Sequence, residues 1–163
     1  MPRLSAIFFD LDQTLIHTRS RHEPADGDMA TATAFGPYAA WLRPTAHQLL
    51  ATARAIKCPV FLCTMAERRY AHGLSQLFNL GFDIPDILGI EHLRLGHDGV
   101  SPNSILIDDL PPTHEFPTFK RKVLGITPEQ QFQIPPFRGK IEPDEARVPD
   151  DFLNYLRRWR EAR

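Results

Sequence analysis

Cysteine is nearly absent: the 163-residue chain has only Cys58 and Cys63. Two thiols build no disulfide framework, and without a second pair they make no four-ligand zinc site. Both read as small buried hydrophobes in a protein of the reducing cytoplasm. Long apolar runs are missing too. None approaches the ~20 residues a membrane helix needs, so no membrane is expected as a partner. The opening stretch MPRLSAIFFD is too short in apolar length, and too soon acidic, for a secretory signal. Neither sign of charge is in excess. With 19 Lys+Arg against 20 Asp+Glu the formal charge is -1, which calls for no polyanionic partner. No repeat and no low-complexity segment is visible, and nothing in the sequence speaks to oligomeric state.

Hydrophobic content of 42% suits one globular domain over residues 1–163. Three short apolar runs end abruptly in a polar residue: Leu4–Phe9 into Asp10, Val60–Cys63 into Thr64, and Ile105–Ile107 into Asp108. Runs of this kind predict strands buried on both faces. Between them, Thr45–Ile56 carries Ala46, Leu49, Leu50, Ala53 and Ile56 at helical spacing behind Pro44. Glu67–Leu80 does the same with Tyr70, Leu74, Leu77 and Phe78 before Gly81. Strand–helix alternation predicts an α/β fold with a Rossmann-like parallel sheet, and Ile87–Ile90 is a candidate further strand. Residues 17–40 interrupt the pattern as a small flap, with His17–Asp28 loop-like and Ala30–Phe35 pairing with Tyr38–Leu42. Proline is the one excess, at 15 residues, eight of them between Pro111 and Pro149. Segment 110–148 is therefore expected to be irregular, with a short strand near Phe132–Ile134 and a C-terminal helix over 149–161.

Ligands of a parallel sheet bind outside the carboxyl ends of its strands. Asp10, Thr64 and Asp108 should gather there although they are far apart in the chain, and Asp12 and Asp109 add two more carboxylates. Four crowded acids repel one another, and a divalent cation that prefers oxygen relieves this. Mg²⁺ suits such a site, its octahedron completed by waters and a substrate phosphate. The candidate metal residues are Asp10, Asp12, Asp108 and Asp109.

The run Asp10-Leu11-Asp12-Gln13-Thr14 resembles the D-x-D-x-T signature of the haloacid dehalogenase-like (HAD) hydrolases. Leu62-Cys63-Thr64 and Leu106-Ile107-Asp108-Asp109 match two later motifs of that superfamily in order and strand context. Asp10 through Thr18, with Leu42-Arg43-Pro44 and the Tyr70-Ala71 pair, is similar to the carboxyl-terminal-domain phosphatase, or NLI-interacting factor-like, branch. The resemblance covers about residues 4–110 and implies a HAD-like fold without a large cap. It also implies a Mg²⁺-dependent phosphatase. Asp10 would be the nucleophile that forms an aspartyl-phosphate, and Asp12 the general acid and base. Thr64 would hold the phosphoryl group. Asp10, the Asp12 carbonyl and Asp108 would hold the metal, with Asp109 acting through water. The substrate would be a phosphorylated protein or a small phosphate ester.

One element of the pattern is displaced. The superfamily's third motif carries a Lys or Arg ahead of the last acidic strand, but residues 81–104 contain no lysine. The candidates are Arg94, with His92 and His97 near it, or Lys120 or Lys122 reaching back from beyond the acidic pair. If none serves, the chain becomes a phosphate- and metal-binding module with weak or no turnover. The run Lys120-Arg121-Lys122, with Arg157, Arg158 and Arg160, also leaves open a phosphatase acting on nucleic-acid ends. Each acid has a plainer alternative as a turn residue or helix cap. Thr64 could open the following helix in a capping box with Glu67.

Overall fold

A computed structural model describes residues 4–24, 27–95 and 101–161; His97 lies outside them. In chain order the elements are β1 (Ala6–Phe9), β2 (Ile16–Ser20), β3 (Thr33–Phe35), β4 (Tyr38–Leu42), α1 (Ala46–Arg54), β5 (Val60–Cys63), α2 (Arg68–Leu77), β6 (Ile87–Leu88), α3 (Ile90–Arg94), β7 (Ser104–Asp108), α4 (Glu115–Leu124), β8 (Gln131–Gln133) and α5 (Val148–Glu161). Five strands form a wholly parallel sheet in the order β6-β5-β1-β7-β8.

Central β1 shows why these strands read as unbroken apolar runs. Ile7 and Phe9 pack with Leu49, Leu50, Phe152 and Leu156 on one face. Ala6 and Phe8 pack with Leu93, Val123 and Leu124 on the other. A strand covered on both faces has no wet side to mark with polar residues.

Two expectations need correction. His17–Asp28 is not wholly loop, because Ile16–Ser20 pairs antiparallel with Tyr38–Leu42, making a second sheet in the order β2-β4-β3. The polar side chains of β2 concealed it. His17 stacks on Trp41 with ring centroids 5.5 Å apart, and Thr18 shares a 2.7 Å hydrogen bond with the Tyr70 hydroxyl. Segment 110–148 is likewise not irregular throughout. Its ten-residue α4 contains Pro117, but within the first turn, where a missing amide hydrogen breaks no helical bond. Gly125, at φ +74°, closes the helix by donating to the Arg121 carbonyl at 2.8 Å. Ile87–Ile90 shortens to the two-residue β6 before α3 begins. Among the described residues no helix is long and apolar enough to cross a membrane.

Candidate active site

Strand register brings the acids together. Phe9 stands opposite Leu62 on β5 and Ile107 on β7, so Asp10 and Asp108, the next residue on each strand, emerge side by side. The Asp10 amide donates to the Ile107 carbonyl at 2.8 Å. Between them sits Lys120, 2% exposed, from the middle of α4. Its Nζ donates to Asp10 Oδ1 at 2.6 Å and to Asp108 Oδ2 at 2.7 Å. The remaining Asp10 oxygen accepts from the Thr14 hydroxyl at 3.1 Å, while the Asp109 amide donates to that same hydroxyl oxygen at 3.1 Å. Gln13, in the left-handed region at φ +60°, turns the chain between Asp12 and Thr14. The Leu15 amide closes that turn on the Leu11 carbonyl at 2.9 Å.

The electrostatics follow from crowding and burial. Burial opposes the charge on Lys120, but Asp10 and Asp108 outweigh it and hold the ammonium above its ordinary range. Burial pushes Asp10 up, Lys120 pulls it back and Asp108 adds to the push. Asp12 is pushed up to about 7, by burial first and the Asp10 charge second. Asp109 also rises to about 7, through burial and then Asp10 and Asp108. Thr64 forms no capping box with Glu67: α2 begins at Arg68, whose amide donates to Glu91 at 2.9 Å. The Thr64 Oγ1 accepts from the Ala66 amide at 3.1 Å, which leaves its proton for another acceptor.

Asp10, Asp108 and Asp109 each offer a carboxylate oxygen, and these atoms lie within 4.8 Å of one another. The set is buried, hard and all-oxygen, and Lys120 balances only one of its charges. That donor chemistry fits Mg²⁺. The Asp12 carboxylate stands outside this trio. A cleft of about 310 Å³ opens over the site, lined among others by Asp10, Asp12, Thr64, Asp109 and Lys120. A groove of about 540 Å³ is bounded by Asp12, Gln13, His17, Thr18, Tyr38 and Tyr70.

A family model for NLI interacting factor-like phosphatases matches residues 5–94. This chain belongs to that family. Its fold is also that of solved relatives. The fission yeast RNA polymerase II CTD phosphatase Fcp1, in an arginine-to-alanine variant bound to beryllium fluoride, is 15% identical with a TM-score of 0.51. The match covers 95% of this chain and 51% of that one. A second structure of Fcp1, described as an essential RNA polymerase II CTD phosphatase, is 16% identical with a TM-score of 0.52. It covers 98% of this chain and 49% of that one. This chain thus spans about half the length of the solved chains it matches. At these identities the likeness speaks for the HAD-like fold. No curated protein matches the chain.

Against the family's pattern, the displaced cation is the informative feature. Of the candidates, Lys120 stands among the acids. Lys122, two residues on, is exposed, because two residues turn a helix by roughly 200°. Arg94 is exposed at the end of α3 and does not line the cleft. Burial of Lys120 and Arg121, at 2% and 6% exposure, takes two of the three cations of the 120–122 run off the surface, while Lys122 and the α5 residues Arg157, Arg158 and Arg160 stay exposed. Two residues quoted for the resemblance prove to have structural work that the sequence did not signal. Thr14 joins Asp10 to Asp109. Arg43, 1% exposed, donates to the Thr14 carbonyl at 3.2 Å and to both oxygens of Glu145 at 2.9 and 3.0 Å. A clue to this partner was available, since a buried arginine demands a carboxylate, but no pattern pointed to Glu145.

Proposed function

We propose that the chain is a Mg²⁺-dependent phosphomonoesterase acting through an aspartyl-phosphate on Asp10. The observation that carries this reading is the Lys120 ammonium set between the Asp10 and Asp108 carboxylates. It supplies the fixed positive charge that Arg94, the strong cation of residues 81–104, does not bring to the cleft, and so weakens the motive for an inactive binding module.

In this reading the Asp10 carboxylate, held by Lys120 on one oxygen and Thr14 on the other, attacks phosphorus in line with the leaving oxygen. Asp12, poised near neutrality, delivers its proton to that oxygen. It then takes one from the water that hydrolyses the acyl phosphate. Thr64 donates its hydroxyl proton to a phosphoryl oxygen. Bound Mg²⁺ would be held by Asp10, Asp108 and the Asp12 carbonyl, with Asp109 beside them, and would neutralise charge between phosphate and nucleophile. Fcp1 is described as a CTD phosphatase, which supports a phosphorylated protein as substrate. Cys58 and Cys63 form no disulfide, as suits the cytoplasm.

Purified protein should hydrolyse 4-nitrophenyl phosphate only with a divalent cation. Asp10→Asn should abolish this while the circular dichroism spectrum stays unchanged. Undiminished turnover in the folded variant would reject the reading.

A further inference from the structure

The catalytic cleft is graded from a buried, charged floor to a more apolar mouth. Its deep residues, Asp10, Thr64, Asp109 and Lys120, are all buried. Its outer wall holds Met65, Leu110, His114 and Phe116, the last 41% exposed. Phe116 is one of few large apolar side chains left in water on the described surface, and it stands at the entrance to the site. A single exposed apolar side chain is ordinary, but here Phe116 shares one wall of the cleft with Met65, Leu110 and His114, the apolar lining with a few convergent polar groups that ligand sites use.

This wall is built in advance. His114 caps α4, its Nδ1 accepting from the Phe116 amide at 3.2 Å. The two rings meet edge to face, centroids 5.0 Å apart at 63°. The loop before them is pinned along its length. The Leu110 amide donates to Asp108 Oδ1 at 3.0 Å, and Gln131 donates to the Leu110 carbonyl at 2.8 Å. Arg121 donates to the Pro112 carbonyl at 2.7 Å, and the His114 amide to the Pro111 carbonyl at 2.9 Å. Two rings held in fixed planes recognise a flat group with little loss of freedom on binding. The thioether of Met65 adds a polarizable surface that also favours aromatic contact.

We propose that this mouth selects aryl phosphates: phosphate esters whose leaving group is a flat aromatic ring, phosphotyrosine among protein substrates. The proposal rests on the phosphatase reading and adds the leaving-group class to it. Phosphate would lie over Asp10 and Thr64, and the ring against Phe116 and His114.

Phosphonates, which are not hydrolysed, separate recognition from turnover. Benzylphosphonate, cyclohexylmethylphosphonate and methylphosphonate are titrated calorimetrically into the protein with Mg²⁺ present. Benzylphosphonate should bind about 3- to 10-fold tighter than its saturated counterpart, as an aromatic pair contributes beyond buried area, and methylphosphonate should bind weakest. Phe116→Leu, which keeps an apolar side chain without the ring, should erase the benzyl advantage and leave methylphosphonate binding unchanged. Equal affinity for the benzyl and cyclohexyl compounds, or an advantage that survives Phe116→Leu, overturns the aryl assignment while the phosphatase reading stands. Failure to bind any of the three overturns both.

Discussion

Residues 5–94, which the family model matches, provide Asp10, Asp12, Thr14 and Thr64 from the ends of β1 and β5. Segment 104–145 provides Asp108 and Asp109 from the end of β7, Lys120 from the middle of α4, and Glu145 from a short turn before α5. The first region carries the groups that would react. The second carries the cation that lets them sit together, and the carboxylate that fixes Arg43 behind Thr14. A nucleophile motif can therefore be complete in one stretch of chain while its charge balance is set by another, placed by packing on the opposite sheet face. That packing includes Val123 and Leu124 of α4 against Phe8 and Leu106.

The sharpest way to break this comparison is to remove the cation. Lys120→Met should lower kcat by about a hundredfold or more, the scale of losing one preorganised electrostatic group. Lys122→Met and Arg94→Met, measured in the same assay, should leave turnover near wild type. If Arg94→Met is instead the damaging change, the first region supplies its own cation and the comparison fails.

Next in size is the tie between the regions. Glu145→Gln leaves the Arg43 guanidinium buried without its counter-charge and with one acceptor fewer of four, and urea unfolding should show a loss of about 3–5 kcal/mol, as for other broken buried ion pairs. A loss well below 1 kcal/mol, on the scale of a surface pair, would mean that segment 104–145 is not anchored through Arg43.

A third test concerns pH without metal. Asp12 and Asp109 rise from 3.8 to about 7 in the folded chain, so folding favours their protonated forms. Their contribution to stability is fully present below about pH 4 and is lost as pH rises through about 7. Thermal melts in chelator should drop across that window, and saturating Mg²⁺ should flatten the drop. A melting temperature that climbs between pH 4 and 7 in chelator would contradict these shifts.

Much of this was readable before any coordinates. The three central strands announce themselves because burial on both faces makes them uninterrupted apolar runs, and their polar terminators mark the ligand-binding edge. Other elements were hidden for physical reasons. β2 presents His17, Thr18 and Arg19 where a half-buried strand would alternate. Its stability comes from pairing with β4 and from the Thr18–Tyr70 bond, which no local pattern shows. α4 was masked by Pro111, Pro112 and Pro117, although Pro117 sits where a helix tolerates it and Gly125 marks the stop. Lys120 and Lys122 could be separated only once that helix was known, since the turn between them decides which one faces the acids. Asp108 ends β7 and Asp109 follows it, as an apolar run stopping at an acidic pair implies. The separation of their surroundings from that of Asp12, which stands outside the carboxylate trio, is a matter of loop geometry at Gln13.

Phosphoryl transfer to Asp10 is the step on which the account turns, and trapping it is the most direct test. Protein turning over an aryl phosphate with Mg²⁺ is quenched in acid within one turnover and digested, and the phosphate adduct is mapped by mass spectrometry. The account predicts an acyl phosphate on Asp10 that is lost in alkali. An adduct on any other residue, or steady turnover with Asp10 never modified, would contradict it.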